Sequence, residues 1–183
     1  MPSPVEQRLR ESLDGIESAL QPIGDELMQA AGLMLHTVIG GQRLLVCGVR
    51  ERATLAAHFA RLMVGQFEHE RPGLPAIALQ EFPGGEEPYA KAIRALGGGG
   101  DVLFAIGRDG LHGLEPALRA ARERDMRLVI LTSGQSEHLR PSFSADDSLL
   151  CLPPGRARTL HEAQLVAVHL LCDLIDRQLL GLE

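Results

Sequence analysis

The stretch LLVCGVRERATLAAHFARLMVG, residues 44–65, decides the fold of this chain. A run of apolar residues ends at Gly48, and an amphipathic helical pattern follows a short loop. The order of strand, glycine and helix is typical of phosphate-binding turns in α/β proteins. The loop itself, residues 49–52, reads VRER and lacks the glycine and serine that a backbone cradle for phosphate needs. The stretch therefore predicts the frame of a phosphate-binding protein with a changed loop.

The composition restricts the class of protein. The chain has 183 residues, which is enough for one domain with a full core. Because 45% of the residues are hydrophobic and only 3% are aromatic, the core must be mainly aliphatic. The net charge of −6 and the lack of a long basic run disfavour direct binding to nucleic acid. No apolar run approaches the roughly 18 residues of a membrane span, so no membrane partner is expected.

The N-terminal segment and the cysteines indicate a cytoplasmic protein. The N-terminal residues lack the apolar segment of a signal peptide. Cys47, Cys151 and Cys172 are odd in number, widely spaced and set in apolar segments. We interpret them as reduced core thiols.

Apolar periodicity predicts alternating helices and strands. The helices are expected over residues 5–20, 25–39, 52–66, 86–97, 113–125 and 157–180, and the strands over 43–48, 74–79, 101–107, 127–132 and 148–153. Continuous apolar strands that alternate with helices indicate a parallel sheet covered on both sides. The prediction is one doubly wound α/β domain over 1–183, with an added N-terminal helical pair within 1–40.

Ligands of such a sheet bind beyond the carboxyl ends of its strands. The loops there carry Arg50, Glu51, Arg52, Arg108, Asp109, His112, Ser133, Ser136, His138, Arg156 and Arg158. The five arginines could form an anion-binding rim through charge and bidentate hydrogen bonds. They could equally be ordinary charged loop residues, and the neighbouring acids would partly neutralise them.

Three histidines form a candidate metal set. His58 lies on the helix after the first strand, whereas His161 and His169 lie about 80° apart around the last helix. Three imidazoles and a water suit zinc if the two helices pack together. Glu162 could then orient an imidazole as a carboxylate partner. The alternative is that each histidine is an isolated polar or core residue.

Four segments resemble one known family: FEHERPGLPAIAL (67–79), KAIRALGGGGDVLFAI (91–106), LTSG (131–134) and LLCDLID (170–176). In this order they resemble the sugar isomerase (SIS) domain family, in the branch of phosphoheptose isomerases and a regulator that associates with the replication initiator DnaA. The resemblance covers essentially the whole chain. It implies a flavodoxin-like, three-layer α/β/α sandwich with a five-stranded parallel sheet. It also implies a homotetramer, built by the N-terminal helices and the long C-terminal helix.

The chain departs from the family at its active-site motifs. The family's first phosphate loop, Gly-Asn-Gly-Gly-Ser, becomes GVRER at 48–52, and its second, Ser-Thr-Ser-Gly-Asn-Ser, becomes GRDGLH at 107–112. The acidic loop after the second strand is much shorter here. The helix glutamate that serves as the isomerase base falls at Leu62, and a leucine cannot transfer a proton.

Further candidate site residues follow from the loops and from the resemblance. The ligand-binding candidates at the edge of the sheet are Arg50, Arg52, Arg108, His112, Thr132 and Ser133. Some isomerases of the family bind zinc through a His, the helix Glu, a Gln and a second His, which fall here at His58, Leu62, His161 and His169. No cofactor is expected in a non-catalytic chain, and zinc is the candidate ion otherwise. If the chain is an enzyme, His169 and Glu162 are the catalytic candidates.

Three functions remain open from the sequence. The first is a non-catalytic tetrameric scaffold whose partner is the replication initiator protein. Leu179, Leu180 and Leu182 near the C-terminus would then contribute to the partner surface, unless the tetramer buries them. The second is an isomerase of sedoheptulose 7-phosphate with arginine-based phosphate recognition. The third is a sensor that binds a phosphorylated sugar or a nucleotide without converting it.

Overall fold

The five-stranded parallel sheet is confirmed. The computed structural model describes residues 2–81, 87, 89–134 and 143–182. Its strands are β1 (Leu44–Gly48), β2 (Ala76–Ala78), β3 (Val102–Ile106), β4 (Arg127–Ser133) and β5 (Ser148–Leu152), in the order β2-β1-β3-β4-β5. Every neighbouring pair is parallel. This flavodoxin-like order reverses direction between β1 and β3, which is where such sheets open a crevice.

Helices cover both faces of the sheet. They are α1 (Pro4–Leu20), α2 (Gly24–Ile39), α3 (Arg52–Val64), α4 (Ala90–Leu96), α5 (Glu115–Glu123) and α6 (Ala157–Leu180). A 3₁₀ turn over Gln21–Ile23 joins α1 to α2. α1 begins with a capping box, because the Ser3 hydroxyl accepts from the Glu6 N–H and the Glu6 carboxylate accepts from the Ser3 N–H.

Two elements are shorter than the sequence predicts. β2 covers three residues rather than the six from 74 to 79, because Pro75 has no N–H to donate to the sheet. α4 begins at Ala90 rather than at residue 86, after Tyr89 adopts a left-handed backbone conformation with φ 66°. Residues 82–86 and 88 lie outside the described part of the chain, so the start predicted there is not described.

The core divides into two layers, one on each side of the sheet. Val46, Phe104 and Leu131 face the side of α1, α2, α3 and α6, and all three are fully buried. Their strand neighbours, such as Leu103 and Ile130, face α4 and α5. This alternation buries both faces of each strand and confirms the three-layer sandwich.

Some apolar side chains on the outer helices are exposed. Val5, Leu9 and Leu13 form a stripe along α1, with more than half of each side chain accessible. The use of this helical pair in a tetramer stays a prediction. Across the described residues, no helix combines the length and the apolar character needed to span a membrane.

Asp147 holds the short segment before β5 against β4 and α5. Its fully buried carboxylate accepts hydrogen bonds from the Leu128 N–H at 2.8 Å and the Ser144 N–H at 2.7 Å, and it pairs with Arg122. Burial alone would raise the pKa of Asp147, but the hydrogen bonds from Arg122, Ser144 and Leu128 outweigh burial and hold the pKa below 3.8.

Asp147→Asn is expected to lower the free energy of unfolding by about 1–3 kcal/mol near neutral pH, because the amide cannot replace a charged acceptor. Since the folded pKa is depressed, the stability that the carboxylate gives is present above 3.8 and is lost as the pH falls through the folded pKa. Urea denaturation should therefore show the gap between wild type and variant narrowing below that pH. A gap of constant size would contradict this role.

Candidate functional site

A cleft opens at the carboxyl ends of β1 and β3, where the sheet order reverses. Its volume is about 580 Å³. Its lining residues are Val49, Arg50, Glu51, Arg52, Glu81, Arg108, Asp109, His112 and Gly113. The sequence places all three contributing loops, those after β1, β2 and β3, at this edge of the sheet. The loops after β1 and β3 are the ones that the resemblance relates to phosphate binding.

The loop after β1 is tightly wound. A Cβ at Gly48 would lie 2.4 Å from the carbonyl oxygen of Arg52, so only glycine fits there. The Val49 N–H donates to the Ile106 carbonyl at 3.1 Å, which ties the loop to β3. Arg50 adopts a left-handed conformation with φ 53°. This path turns the side chain of Arg52, the first residue of α3, toward the interior.

Arg52 links the two cleft loops to the last helix. Its side chain is only 3% exposed, and its Nε donates to the Gln164 Oε1 at 3.0 Å. Gln164 is fully buried and its Nε2 donates to the Gly107 carbonyl at 2.7 Å. Arg52 also forms an ion pair with Glu51. Burial lowers the pKa of Arg52, and the charge of Arg108 adds to this effect, but a guanidinium stays protonated.

The other cleft arginines differ in their partners. Arg108 Nε donates to the Asp109 carboxylate at 2.7 Å, and Asp109 has a left-handed backbone with φ 53°. Arg50 is exposed at the mouth of the cleft. The lining as a whole holds three arginines and three carboxylates. The predicted anion-binding rim is therefore balanced by its own acidic neighbours.

The structure separates Arg156 and Arg158 from this cleft. They line a second cleft between α1 and the β5–α6 junction, with a volume of about 550 Å³. Arg158 donates to the Ser12 hydroxyl at 3.1 Å. The five loop arginines thus do not form one rim, because the β5–α6 junction faces α1. Ser136 and His138, also expected at the sheet edge, lie outside the described residues.

Thr132 and Ser133, expected to contact ligand, are fully buried at the end of β4. The Thr132 hydroxyl donates to the Gly110 carbonyl at 2.5 Å, and the Ser133 carbonyl accepts from the Gly110 N–H at 3.1 Å. Both residues support the loop after β3 rather than the cleft surface. His112 does line the cleft, with 92% of its side chain exposed.

Two of the three predicted metal-binding histidines, His58 and His169, contact each other. The Nε2 atoms of His58 and His169 lie 2.8 Å apart, and Arg61 lies 3.3 Å from the Nδ1 of His58. Because Arg61 can only donate, a neutral His58 carries its proton on Nε2 and donates to His169. Burial, followed by the proximity of His169 and Arg61, lowers the pKa of His58, which favours this neutral form.

His161 does not join this pair, because the ring nitrogens of the three histidines do not all lie within 4.8 Å of one another. Its Nδ1 is buried without a hydrogen-bond partner, and the same holds for Glu162 Oε2. Leu62, at the position of the family's metal-binding glutamate, packs against the hydrophobic core. These residues fit a hydrogen-bonded histidine pair better than a three-histidine zinc centre, so we derive no chemical step through zinc.

Sequence reasoning missed two polar residues behind the cleft, Gln164 and Tyr89, and one carboxylate that lines it, Glu81. Gln164 is recognisable as a polar residue in the buried stripe that also contains Leu160 and Val168. The hydroxyl of Tyr89, which is buried, donates to the Gly48 carbonyl at 2.6 Å and lies 3.2 Å from Glu81 Oε1. Burial, together with the charge of Glu81, raises the pKa of Tyr89. Glu81 lies in a loop that the sequence places at this edge of the sheet, but no pattern singles out Glu81 or Tyr89 as part of the site.

The predicted partner residues lie at the end of α6 and just beyond it. Leu179 is half-buried and packs against the core, whereas Leu180 is 40% exposed and Leu182 is 43% exposed. The described chain therefore leaves a small apolar surface at this end.

Comparison with known proteins agrees with the fold. A family model described as "SIS domain" matches residues 9–133. The DnaA initiator-associating protein DiaA of Cronobacter sakazakii is 36% identical over 180 residues, covering 92% of each chain. A phosphoheptose isomerase of Halorhodospira halophila is 35% identical over 188 residues, covering 97% of this chain and 95% of that one.

A solved structure of a phosphoheptose isomerase has the same fold. The phosphoheptose isomerase of Neisseria gonorrhoeae is 31% identical and superposes with a TM-score of 0.82, covering 94% of this chain and 96% of that one. The family match and the relatives together span nearly the whole chain. The chain belongs to the SIS domain family.

Proposed function

We propose that this chain is a non-catalytic SIS-domain protein that acts as a tetrameric scaffold in the control of replication initiation, through association with the initiator protein. The observation that carries the proposal is the burial of Arg52 and its pairing with Glu51 and Gln164. In place of a loop that cradles phosphate, the chain has a buried arginine bonded to Glu51 and Gln164. This arrangement stabilises the sheet edge and leaves no backbone cradle for a phosphate.

The lack of a base supports the same proposal. Aldose–ketose isomerisation needs a group that transfers a proton between neighbouring carbons. Leu62 holds the position of the family's helix base and packs into the core instead. Glu81 is the cleft carboxylate for which the described residues give no arginine partner, and it lies 3.2 Å from the Tyr89 hydroxyl, whose proton goes to the Gly48 carbonyl. None of the described cleft residues therefore pairs a free base with an open phosphate site.

The name of one group of relatives supports the replication initiator as the partner. DiaA is named for association with the DnaA initiator, and its identity to this chain is as high as that of the isomerases. A tetramer suits such a role, because several modest sites on one scaffold add to each other's affinity. The exposed Leu180 and Leu182 are the residues that we assign to the initiator-binding surface.

We expect no isomerised heptose phosphate when the purified, folded protein is incubated with sedoheptulose 7-phosphate, with or without added zinc. A phosphoheptose isomerase relative provides the positive control. The physical reason is the missing base at Leu62 together with the charge-balanced cleft. Chelator-sensitive turnover that His169→Ala abolishes would instead support an isomerase.

That isomerase is the second candidate, and the contact between His58 and His169 favours it, since both residues match metal-binding positions of the family.

A sensor is the third candidate, and a thermal-melting measurement distinguishes it from the other two. A phosphorylated sugar or a nucleotide would raise the melting temperature without forming product, by an amount that follows RT ln(1 + [L]/Kd). Arg50, exposed at the cleft mouth, would be the first ligand contact to substitute.

A further inference from the structure

The loop between α3 and β2 runs along α6. Phe67 lies against His169, with ring centroids 5.3 Å apart. Four residues later, Arg71 pairs with Asp176, with its Nε 2.5 Å from the carboxylate oxygen. Since His169 and Asp176 are two turns apart on α6, the residues between Phe67 and Arg71 are held above the middle turn. That turn carries Asp173.

Arg71 makes this loop rigid. Its side chain is fully buried and donates to the carbonyl oxygens of Met63 at 2.8 Å and of Leu62 and Pro72 at 3.1 Å. A buried guanidinium with several acceptors fixes the backbone on both sides of it. Glu68 and His69 are therefore presented to α6 by an anchored segment.

Glu68, His69 and Asp173 bring three ligand atoms together. One imidazole nitrogen and two carboxylate oxygens lie within 4.8 Å of one another. Ligands bound to a tetrahedral zinc ion at about 2.0–2.2 Å lie about 3.3–3.6 Å apart, so the three ligand atoms would have to draw together by up to about 1–1.5 Å on binding.

The carboxylate of Asp173 has one oxygen that is not used in a hydrogen bond. Its Oδ2 accepts from Arg177 Nε at 2.8 Å, whereas its Oδ1 is buried and has no hydrogen-bond partner. A buried carboxylate oxygen without a partner costs free energy unless an ion or a donor satisfies it. The imidazole of His69 adds a ligand that acidic surface clusters lack.

We propose that Glu68, His69 and Asp173 bind a divalent transition-metal ion of the zinc class. One nitrogen and two oxygen ligands suit such an ion, and the remaining position would take water or a fourth donor. The site is separate from the cleft and shares no ligand with the His58–His169 pair. Arg177 offsets one of the two carboxylate charges, so the affinity should be lower than that of a four-ligand structural site.

Titration calorimetry with zinc chloride on the full chain tests the proposal, using metal-free protein in a buffer without chelating groups. We expect one ion per chain, with an affinity at least tenfold lower in His69→Ala and in Asp173→Asn. His36→Ala, at an exposed position of α2, is the control and should bind zinc as wild type does. His58→Gln tests the histidine pair as the alternative site and should also leave the affinity unchanged. Circular dichroism checks that each variant is folded, and His69 should tolerate alanine because it lies on a half-buried loop.

Cobalt provides a second readout on the same proteins. Bound Co²⁺ should give visible absorption that His69→Ala removes and His58→Gln retains. The proposal is overturned if folded wild type takes up neither ion. It is equally overturned if His58→Gln abolishes uptake while His69→Ala leaves uptake unchanged, since the histidine pair would then hold the ion.

Discussion

Asp176→Ala should lower the free energy of unfolding by about 3–5 kcal/mol, because it leaves the guanidinium of Arg71 buried without its counter-ion. Both side chains of this pair are fully buried. The pair joins the loop after α3 to the last helix, so its loss should also loosen that loop. Urea denaturation at a fixed protomer concentration measures the change, since the stability of an oligomer depends on concentration.

Two further variants test whether the loss of stability comes from the buried ion pair. Asp176→Asn should cost less than the alanine variant, because the amide oxygen can still accept from Arg71. The exposed pair between Arg94 and Glu123 is the control, and Glu123→Ala should leave the stability unchanged within error. A cost for Asp176→Ala no larger than that control would refute the role of the buried pair.

Gln164→Leu should lower the free energy of unfolding by about 2–6 kcal/mol, because it leaves two buried groups without partners at about 1–3 kcal/mol each. These groups are the Arg52 Nε and the Gly107 carbonyl, which Gln164 bridges with bonds of 3.0 and 2.7 Å. Leucine is close to glutamine in volume, so cavity formation contributes little.

The same denaturation series checks this variant. Gln178→Leu makes the identical change at an exposed position of the same helix and is the matched control. Equal unfolding midpoints for the two variants would mean that Gln164 does not hold the cleft loops together. A selective loss at Gln164 would establish the link from Arg52 through α6 to the loop after β3.

The fold could be predicted from the sequence because the apolar patterns are strong and local. The bounds of α6 follow from a continuous apolar pattern that ends before Gly181, and the structure has the helix over Ala157–Leu180. β1 and β3 were predictable as unbroken buried runs. β2 was overestimated because Pro75 extends the apolar run without being able to donate to the sheet.

The candidate site was less predictable, because its contacts join residues that are far apart in sequence. The positions of Arg50, Arg52 and Arg108 at one cleft follow from the order of strands and loops. That Arg52 turns inward depends on Gln164, which lies 112 residues later. The ligand set of Glu68, His69 and Asp173 likewise depends on how one loop lies across α6, which periodicity does not reveal.

Binding of the initiator protein DnaA to the immobilised chain tests the proposed function most directly. We predict saturable binding to wild type, binding at least tenfold weaker to Leu180→Glu, and unchanged binding to Leu96→Glu, whose leucine is 41% exposed on α4. Light scattering should first show that each variant has the oligomeric state of wild type. No binding by the folded wild-type protein, or equal binding by both leucine variants, would contradict a scaffold that holds the initiator through the end of α6.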